Sequence, residues 1–178
     1  MRTRPTPSRA YVGALMVLVV VAGAAVLVLR ARRDNGGGDL PNDVGVVDYV
    51  VDGDTIDIEI GGREERVRLI GINTPETHVE DGPPDCFGLE ATDFTRSLLP
   101  LGTEVRLTRD VVGRDDYGRL LAYVYRRTDD LFVNNAIIAA GYARPLTIDP
   151  NNAYGPQFVA AATAAEASDL GLWGACAG

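Results

Sequence analysis

Apolar and polar positions change rhythm along this chain, and each change marks an element. Val44 to Val51 is β-branched and predicts a strand. Thr55-Ile56-Asp57-Ile58-Glu59-Ile60 alternates strictly and puts Ile56, Ile58 and Ile60 on one face of a second strand. Gly61-Gly62 is a two-residue hairpin signal. The chain returns as a third strand from Arg66 to Ile72, with Val67 and Leu69 alternating against Arg66 and Arg68. Asn73 to Asp85 holds two adjacent prolines, a glycine and four acids, which predicts a loop. From Phe87 to Leu99 the period lengthens. Ala91, Phe94, Thr95 and Leu98 recur at helical spacing, and Pro100 with Gly102 ends that helix. Strands are expected at Glu104 to Asp110 and Arg119 to Arg127, separated by a charged turn from Val111 to Tyr117. Val133, Ala136, Ile137 and Ala140 form a second helical stripe closed by Gly141. Asn152 to Leu170 is an alanine-rich third helix stopped by Gly171. Three strands, a helix, two strands and two helices make an α+β domain compatible with a five-strand barrel of the OB type.

The N-terminal part reads differently. Ala10 to Leu29 is a run of twenty residues without a charge. At about 1.5 Å per residue it spans the ~30 Å hydrocarbon core of a bilayer. It is apolar on all faces, which argues against a buried core helix. The expected organisation is a basic tail over 1–9, a transmembrane helix or signal anchor over 10–29, a flexible linker over 30–42, and a domain over 43–178. Arg2, Arg4 and Arg9 precede the run and Arg30, Arg32 and Arg33 follow it, so the positive-inside rule leaves orientation open. Ala22-Gly23-Ala24 offers a small-x-small cleavage site, so a secreted form is the alternative.

Composition changes this picture little, and charge changes it more. The chain has 178 residues, 46% hydrophobic and 24% charged, which excludes a disordered protein and leaves room for one real core. Residues 1–39 carry six arginines against Asp34 and Asp39, whereas residues 40–178 carry eleven arginines against twenty-three acids. An acidic domain grips long duplexes poorly, because affinity rises with the phosphates neutralised. Nucleic acid would therefore be handled at one local site with a cation helping. Cys86 and Cys176 are the only cysteines, too few for a structural zinc site. A disulfide between them suits an oxidising exterior, and in the chain-entropy model its long loop is worth ~4 kcal/mol. Two free thiols are the alternative. His78, the single histidine, reads as a solvated loop residue with no chemistry.

Three clusters carry candidate chemistry: Asp52-Gly53-Asp54-Thr55, the run from Arg68 to Asn73-Thr74-Pro75-Glu76, and Asp115-Asp116-Tyr117-Gly118-Arg119. Phosphodiester cleavage needs a polarising cation, an activated water and positive groups for the charge that develops on phosphorus. A hard cation takes oxygen ligands, which Asp54, Asn73 and the Thr74 carbonyl can supply. Glu76 can act as base on an attacking water. Arg68 and Arg119 suit phosphate because the guanidinium fork binds two oxygens and keeps its charge. Singly, each cluster reads more readily as an ordinary turn or exposed strand face. Asp54 shares parity with Ile56 and Ile58, whereas Arg68 lies opposite Val67 and Leu69, so parity does not bring them together.

The three clusters, in this order and spacing, resemble the active-site signature of the staphylococcal-nuclease (thermonuclease-like) family. The matching residues are Asp52-Gly53-Asp54-Thr55, Arg68, Thr74-Pro75-Glu76 and Tyr117-Gly118-Arg119. Weaker matches follow at Gly88 to Ala91, Val133-Asn134, Pro150-Asn151-Asn152 and Gly171-Leu172-Trp173, so the likeness covers about residues 44 to 174. The resemblance implies a five-strand OB barrel with three helices. It implies Asp54 as the calcium carboxylate, Thr74 as the residue offering a backbone carbonyl to Ca²⁺, and Glu76 as base or organiser of the water. It makes Arg68 and Arg119 the pair that grips the scissile phosphate. It further implies cleavage of DNA and RNA with little sequence preference, by in-line attack of water with rupture of the bond to the 5′ oxygen.

Three departures stand out. Asn73 replaces the family's second calcium-binding Asp and removes one negative charge. Asp116 stands where a basic residue is common, and Leu146 and Ile148 occupy positions of tyrosines. The expectation is a monomeric, single-pass membrane enzyme, its nuclease domain outside. A catalytically weakened OB-fold nucleic-acid-binding module and a membrane DNA-uptake factor are the alternatives.

Overall fold

The computed structural model describes residues 43–79 and 82–176. The basic tail, the 10–29 span and the 30–42 linker, and with them membrane attachment, lie outside the described residues. Among the described residues no helix is long and apolar enough to cross a membrane.

β1 (Val44–Asp52), β2 (Thr55–Ile60) and β3 (Arg63–Leu69) form an antiparallel meander. The Gly61-Gly62 turn returns the chain at once, pairing Ile60 with Arg63. β3 therefore starts three residues before the alternation indicates, because Arg63, Glu64 and Glu65 lie at the polar end of the β2–β3 ribbon. It also stops at Leu69 rather than Ile72. Gly71 takes φ +84°, which turns the chain, and β4 (Ile72–Asn73) restarts in a separate pairing with β8 (Arg144–Pro145).

After α1 (Gly88–Leu98), β5 (Glu104–Thr108) pairs with β1 and β6 (Leu120–Arg126) pairs with β5. β7 (Leu131–Phe132) and the helices α2 (Val133–Ala139), α3 (Gly155–Ala167) and α4 (Leu172–Ala175) complete the described part. β6 also pairs in parallel with β3, matching Val67 with Leu120, Arg68 with Leu121 and Leu69 with Ala122. That pairing closes β1, β2, β3, β5 and β6 into the expected five-strand barrel. It also brings the Arg68 end of β3 beside the Arg119 end of β6.

The alternating residues fill the barrel: Val47, Val50, Ile56, Ile58, Val67 and Leu69 are all buried. At ~1.5–3 kcal/mol per buried aliphatic side chain, this inner face is the main stabiliser of the barrel. Phe158 from α3 and Ile137 from α2 join the same core. α3 begins at Gly155 rather than Asn152 because Pro156 fits only its first turn. The short α4 is a fourth helix where three were expected. Its C-cap, Cys176, forms a disulfide with Cys86 just before α1, with the Cα atoms 6.0 Å apart.

Candidate active site

The site grows from the turn between β1 and β2. Asp52 closes that turn by accepting the Asp54 N–H at 3.0 Å. Thr95 of α1 donates its hydroxyl to the Gly53 carbonyl at 2.7 Å, pinning the turn to the helix. A Cβ on Gly53 would lie 2.7 Å from the Thr74 methyl, so only glycine lets Thr74 pack here. Asp54, 3% exposed, is held on both oxygens. Its Oδ2 accepts from the Thr74 N–H at 2.8 Å and the Thr74 hydroxyl at 3.1 Å. Its Oδ1 accepts from the Thr55 hydroxyl at 3.2 Å and faces Arg68 Nε at 3.0 Å. Parity failed to foresee this pairing because Asp54 lies in a turn, where strand alternation does not apply.

Arg68 joins the site together. Beyond Asp54, its Nη1 donates to the carbonyls of Leu69 (2.7 Å) and Ile72 (2.9 Å), and its Nη2 donates to Asn73 Oδ1 at 3.1 Å. Arg68 makes three hydrogen bonds through its terminal nitrogens, and its Nε adds the ion pair to Asp54. One guanidinium thus binds the side-chain oxygens of both Asp54 and Asn73.

Arg119 is placed differently. Asp115 accepts its backbone N–H at 2.9 Å and its Nε at 2.7 Å. Among the described residues neither terminal nitrogen of Arg119 makes a hydrogen bond to the protein. Its turn is fixed instead by Arg114, which reaches Glu65 of β3 with both terminal nitrogens at 3.0 and 2.8 Å and the Gly118 carbonyl at 2.6 Å. The exposed Tyr117 ring lies 5.4 Å from the Arg119 guanidinium carbon. Tyr117 and Arg119 line two hollows. One, of about 680 Å³, is bordered by Asp48, Asp52, Asp57 and Arg66. The other, of about 390 Å³, is bordered by Arg68, Asp116, Leu121, Leu146 and Ile148. Of the departures, Asp116, Leu146 and Ile148 therefore meet beside both arginines.

Glu76 follows Thr74-Pro75 and is exposed. It is close enough to Asp52, Arg68, Asp85 and Arg119 to feel each of their charges. Partial desolvation, with Asp52 and Asp85, raises its carboxyl above the usual range against the pull of Arg68 and Arg119. Burial also pushes the Asp54 carboxyl up to about 6; Arg68 opposes the rise and Asp52 adds to it. Burial works against the Asp115 charge, yet hydrogen bonds from Arg119 and Tyr117 hold that carboxyl below the usual range.

The oxygens of Asp54 and Asn73, brought onto one guanidinium, and the adjoining Thr74 carbonyl make an all-oxygen donor set. Its chemistry fits a hard divalent cation such as Ca²⁺. Only Asp54 among the three brings a formal negative charge, and it is already hydrogen-bonded on both oxygens. No group of three or more His, Cys, Asp or Glu side chains suited to a metal occurs among the described residues.

The structure thus brings Asp54, Arg68, Asn73 and Thr74 into direct contact, sets Glu76 within the charge of Arg68 and Arg119, and puts Arg119 on the same hollow as Arg68. Cys86 and Cys176 pair with each other, Cys86 directly following Asp85. His78 accepts no catalytic contact, its Nδ1 lying 3.0 Å from the Thr77 hydroxyl. Four supporting residues carry no sequence prediction of a role. Asp52 and Asp115 lie inside the quoted motifs, which is a usable signal. Asn134, fully buried, accepts the Val124 N–H and donates to the Ile70 carbonyl behind Arg68, and its signal was only a weak match. Asp85, bonded to the Glu76 backbone, gives no local signal.

Comparison with known proteins follows the same residues. The family model described as staphylococcal nuclease homologue matches residues 66–175. The thermonuclease of Staphylococcus intermedius is 36% identical over 162 residues, covering 87% of this chain and 95% of that protein. The thermonuclease of Staphylococcus hyicus is 32% identical over 163 residues, covering 88% and 95%. Endonuclease YncB of Bacillus subtilis (strain 168) is 33% identical over 129 residues, covering 71% of this chain and 60% of that protein.

Proposed function

The chain belongs to the staphylococcal nuclease homologue family, and from that premise we propose that it is a nuclease hydrolysing phosphodiester bonds in DNA and RNA with little sequence preference. The observation that carries this reading is the meeting of three chemistries at one barrel end. Arg119 presents an open fork, Glu76 an exposed carboxylate, and Asp54, Asn73 and Thr74 a set of cation-binding oxygens. A phosphate on the Arg119 fork would place two non-bridging oxygens on its terminal nitrogens. Glu76 would take a proton from water attacking phosphorus in line, the bond to the 5′ oxygen would break, and that oxygen would take its proton from solvent water. Arg68 is engaged at all three of its nitrogens, so its main work is to hold Asp54 and Asn73 in place. A divalent cation held by Asp54, Asn73 and the Thr74 carbonyl would supply Lewis-acid stabilisation of the charge on the phosphate.

The twenty-residue apolar run and the disulfide support a tethered enzyme with its domain outside the membrane. Asn73 favours a second reading, a nucleic-acid-binding module with weakened catalysis, because it lowers the charge available to the cation. Incubating the full chain with DNA and with RNA, in calcium and in chelator, separates the two. Metal-dependent cleavage of both polymers is expected. Binding without cleavage at millimolar calcium would favour the module.

A further inference from the structure

Glu76 projects from a segment in which Glu76, His78 and Val79 are exposed and only Thr77 is buried. What fixes its backbone is Asp85. The Glu76 N–H donates to Asp85 Oδ2 at 3.1 Å, and the Asp85 N–H donates to the Glu76 carbonyl at 2.9 Å. The two residues therefore bond in both directions across the loop. The Asp85 carbonyl accepts the Gly88 N–H at 3.0 Å, which ties this clasp to the start of α1. Gly88 packs directly beneath it: a Cβ there would lie 2.5 Å from the Glu76 carbonyl oxygen. The next residue after Asp85 is Cys86, bonded to Cys176. α4, which Cys176 caps, is anchored by the Leu172 N–H on the Gly141 carbonyl at 2.8 Å.

We propose that Asp85 is a positioning residue for Glu76, and that the Cys86–Cys176 disulfide is the outer anchor of the same clasp, so that turnover depends on that bond being formed. The inference rests on Glu76 being the base. A base must stay within reach of one water at phosphorus, and its side chain can be no better placed than its backbone. Asp85 fixes that backbone from inside the loop. The disulfide keeps the Asp85 end from drifting off the barrel, because Cys86 stands between the clasp and α1. Reduction would leave the barrel, Arg68 and Arg119 in place and release only the Glu76 side of the site. Phosphate would still bind, and attack would slow.

The test uses the full chain in its oxidised form, with calcium, on a labelled oligonucleotide. Asp85→Ala should lower kcat by about 10- to 100-fold, the scale of a misplacement near 1 Å. Its KM should stay within about twofold, because phosphate binding is untouched. Asp85→Asn keeps an oxygen that accepts the Glu76 N–H and should restore most of the rate. Hydrogen exchange reads the clasp directly: the Glu76 amide should be protected in wild type and Asp85→Asn and fast in Asp85→Ala. Dithiothreitol should lower kcat and speed exchange at that amide, while the Cys86→Ser/Cys176→Ser variant should start slow and ignore the thiol. Near-UV circular dichroism confirms that each form is folded, and if Asp85→Ala is not, the asparagine variant and the reduction arm decide. Wild-type kcat in folded Asp85→Ala, no rescue by asparagine, or an unchanged rate with both thiols free would overturn the proposal. Failure of wild type to cleave at all would instead sink the assignment of function. The exchange experiment would still judge the clasp: unchanged protection on Asp85→Ala or reduction would overturn it.

Discussion

The two arginines at the barrel end are built to opposite plans. Arg68, at the end of β3, spends three hydrogen bonds on Asn73 and two carbonyls and an ion pair on Asp54. Arg119, in the turn before β6, spends one side-chain donor on Asp115 and leaves its tip open. The first is tied into the barrel end, and the second leaves its terminal nitrogens without a hydrogen bond to the described residues. The same residue type thus separates into structure and chemistry according to how many of its hydrogen bonds the fold consumes.

Removing Arg68 should break both stability and activity. Arg68→Ala leaves Asp54 buried without its partner and strands the Leu69 and Ile72 carbonyls. A loss of ~3–5 kcal/mol is expected, read from urea unfolding, with cleavage abolished. Arg119→Ala should cost about 10²–10³ in kcat but under ~1 kcal/mol in stability, since its tip supports nothing in the fold. If the two variants lose stability alike, the division between them is wrong.

A smaller change sharpens the scaffold side. Asn73→Asp restores a carboxylate to the oxygen set, and calcium affinity by titration calorimetry should rise about tenfold, ~1.4 kcal/mol. The smallest effect belongs to the turn that carries Arg119. Hydrogen bonds from Arg114 hold the Glu65 carboxyl below its ordinary value of 4.5. A lowered folded-state pKa means the contribution is present above pH 4.5 and is lost as pH falls through the lowered value. Wild type should therefore be slightly more stable than Glu65→Gln at pH 7, and the gap should close in acid. A gap that widens in acid would show that Glu65 does not act through its charge.

The barrel was largely legible in the sequence, because Ile56, Ile58, Val67 and Leu69 alternate as a half-buried sheet demands. Its ends were not. Gly71 cuts β3 short, and β4 and β8 span two residues each, too few to carry a period. α4, four residues long, fails for the same reason. The candidate residues were legible as motifs, whereas their convergence was not. The Asp54–Arg68 contact depends on a turn and the Arg68–Arg119 proximity on a parallel pairing that matches Arg68 with Leu121, far apart in sequence. Asp85 meets Glu76 across a loop without periodicity, so nothing short of the structure could reveal the clasp.

The most direct test of the account is the single-turnover cleavage rate of Glu76→Gln against wild type, at saturating calcium and oligonucleotide. The amide keeps the shape of the side chain but cannot take the proton. A fall of about 10²–10⁴ with unchanged oligonucleotide affinity is predicted. A variant that cleaves as fast as wild type would contradict the account, because the water would then be activated without Glu76.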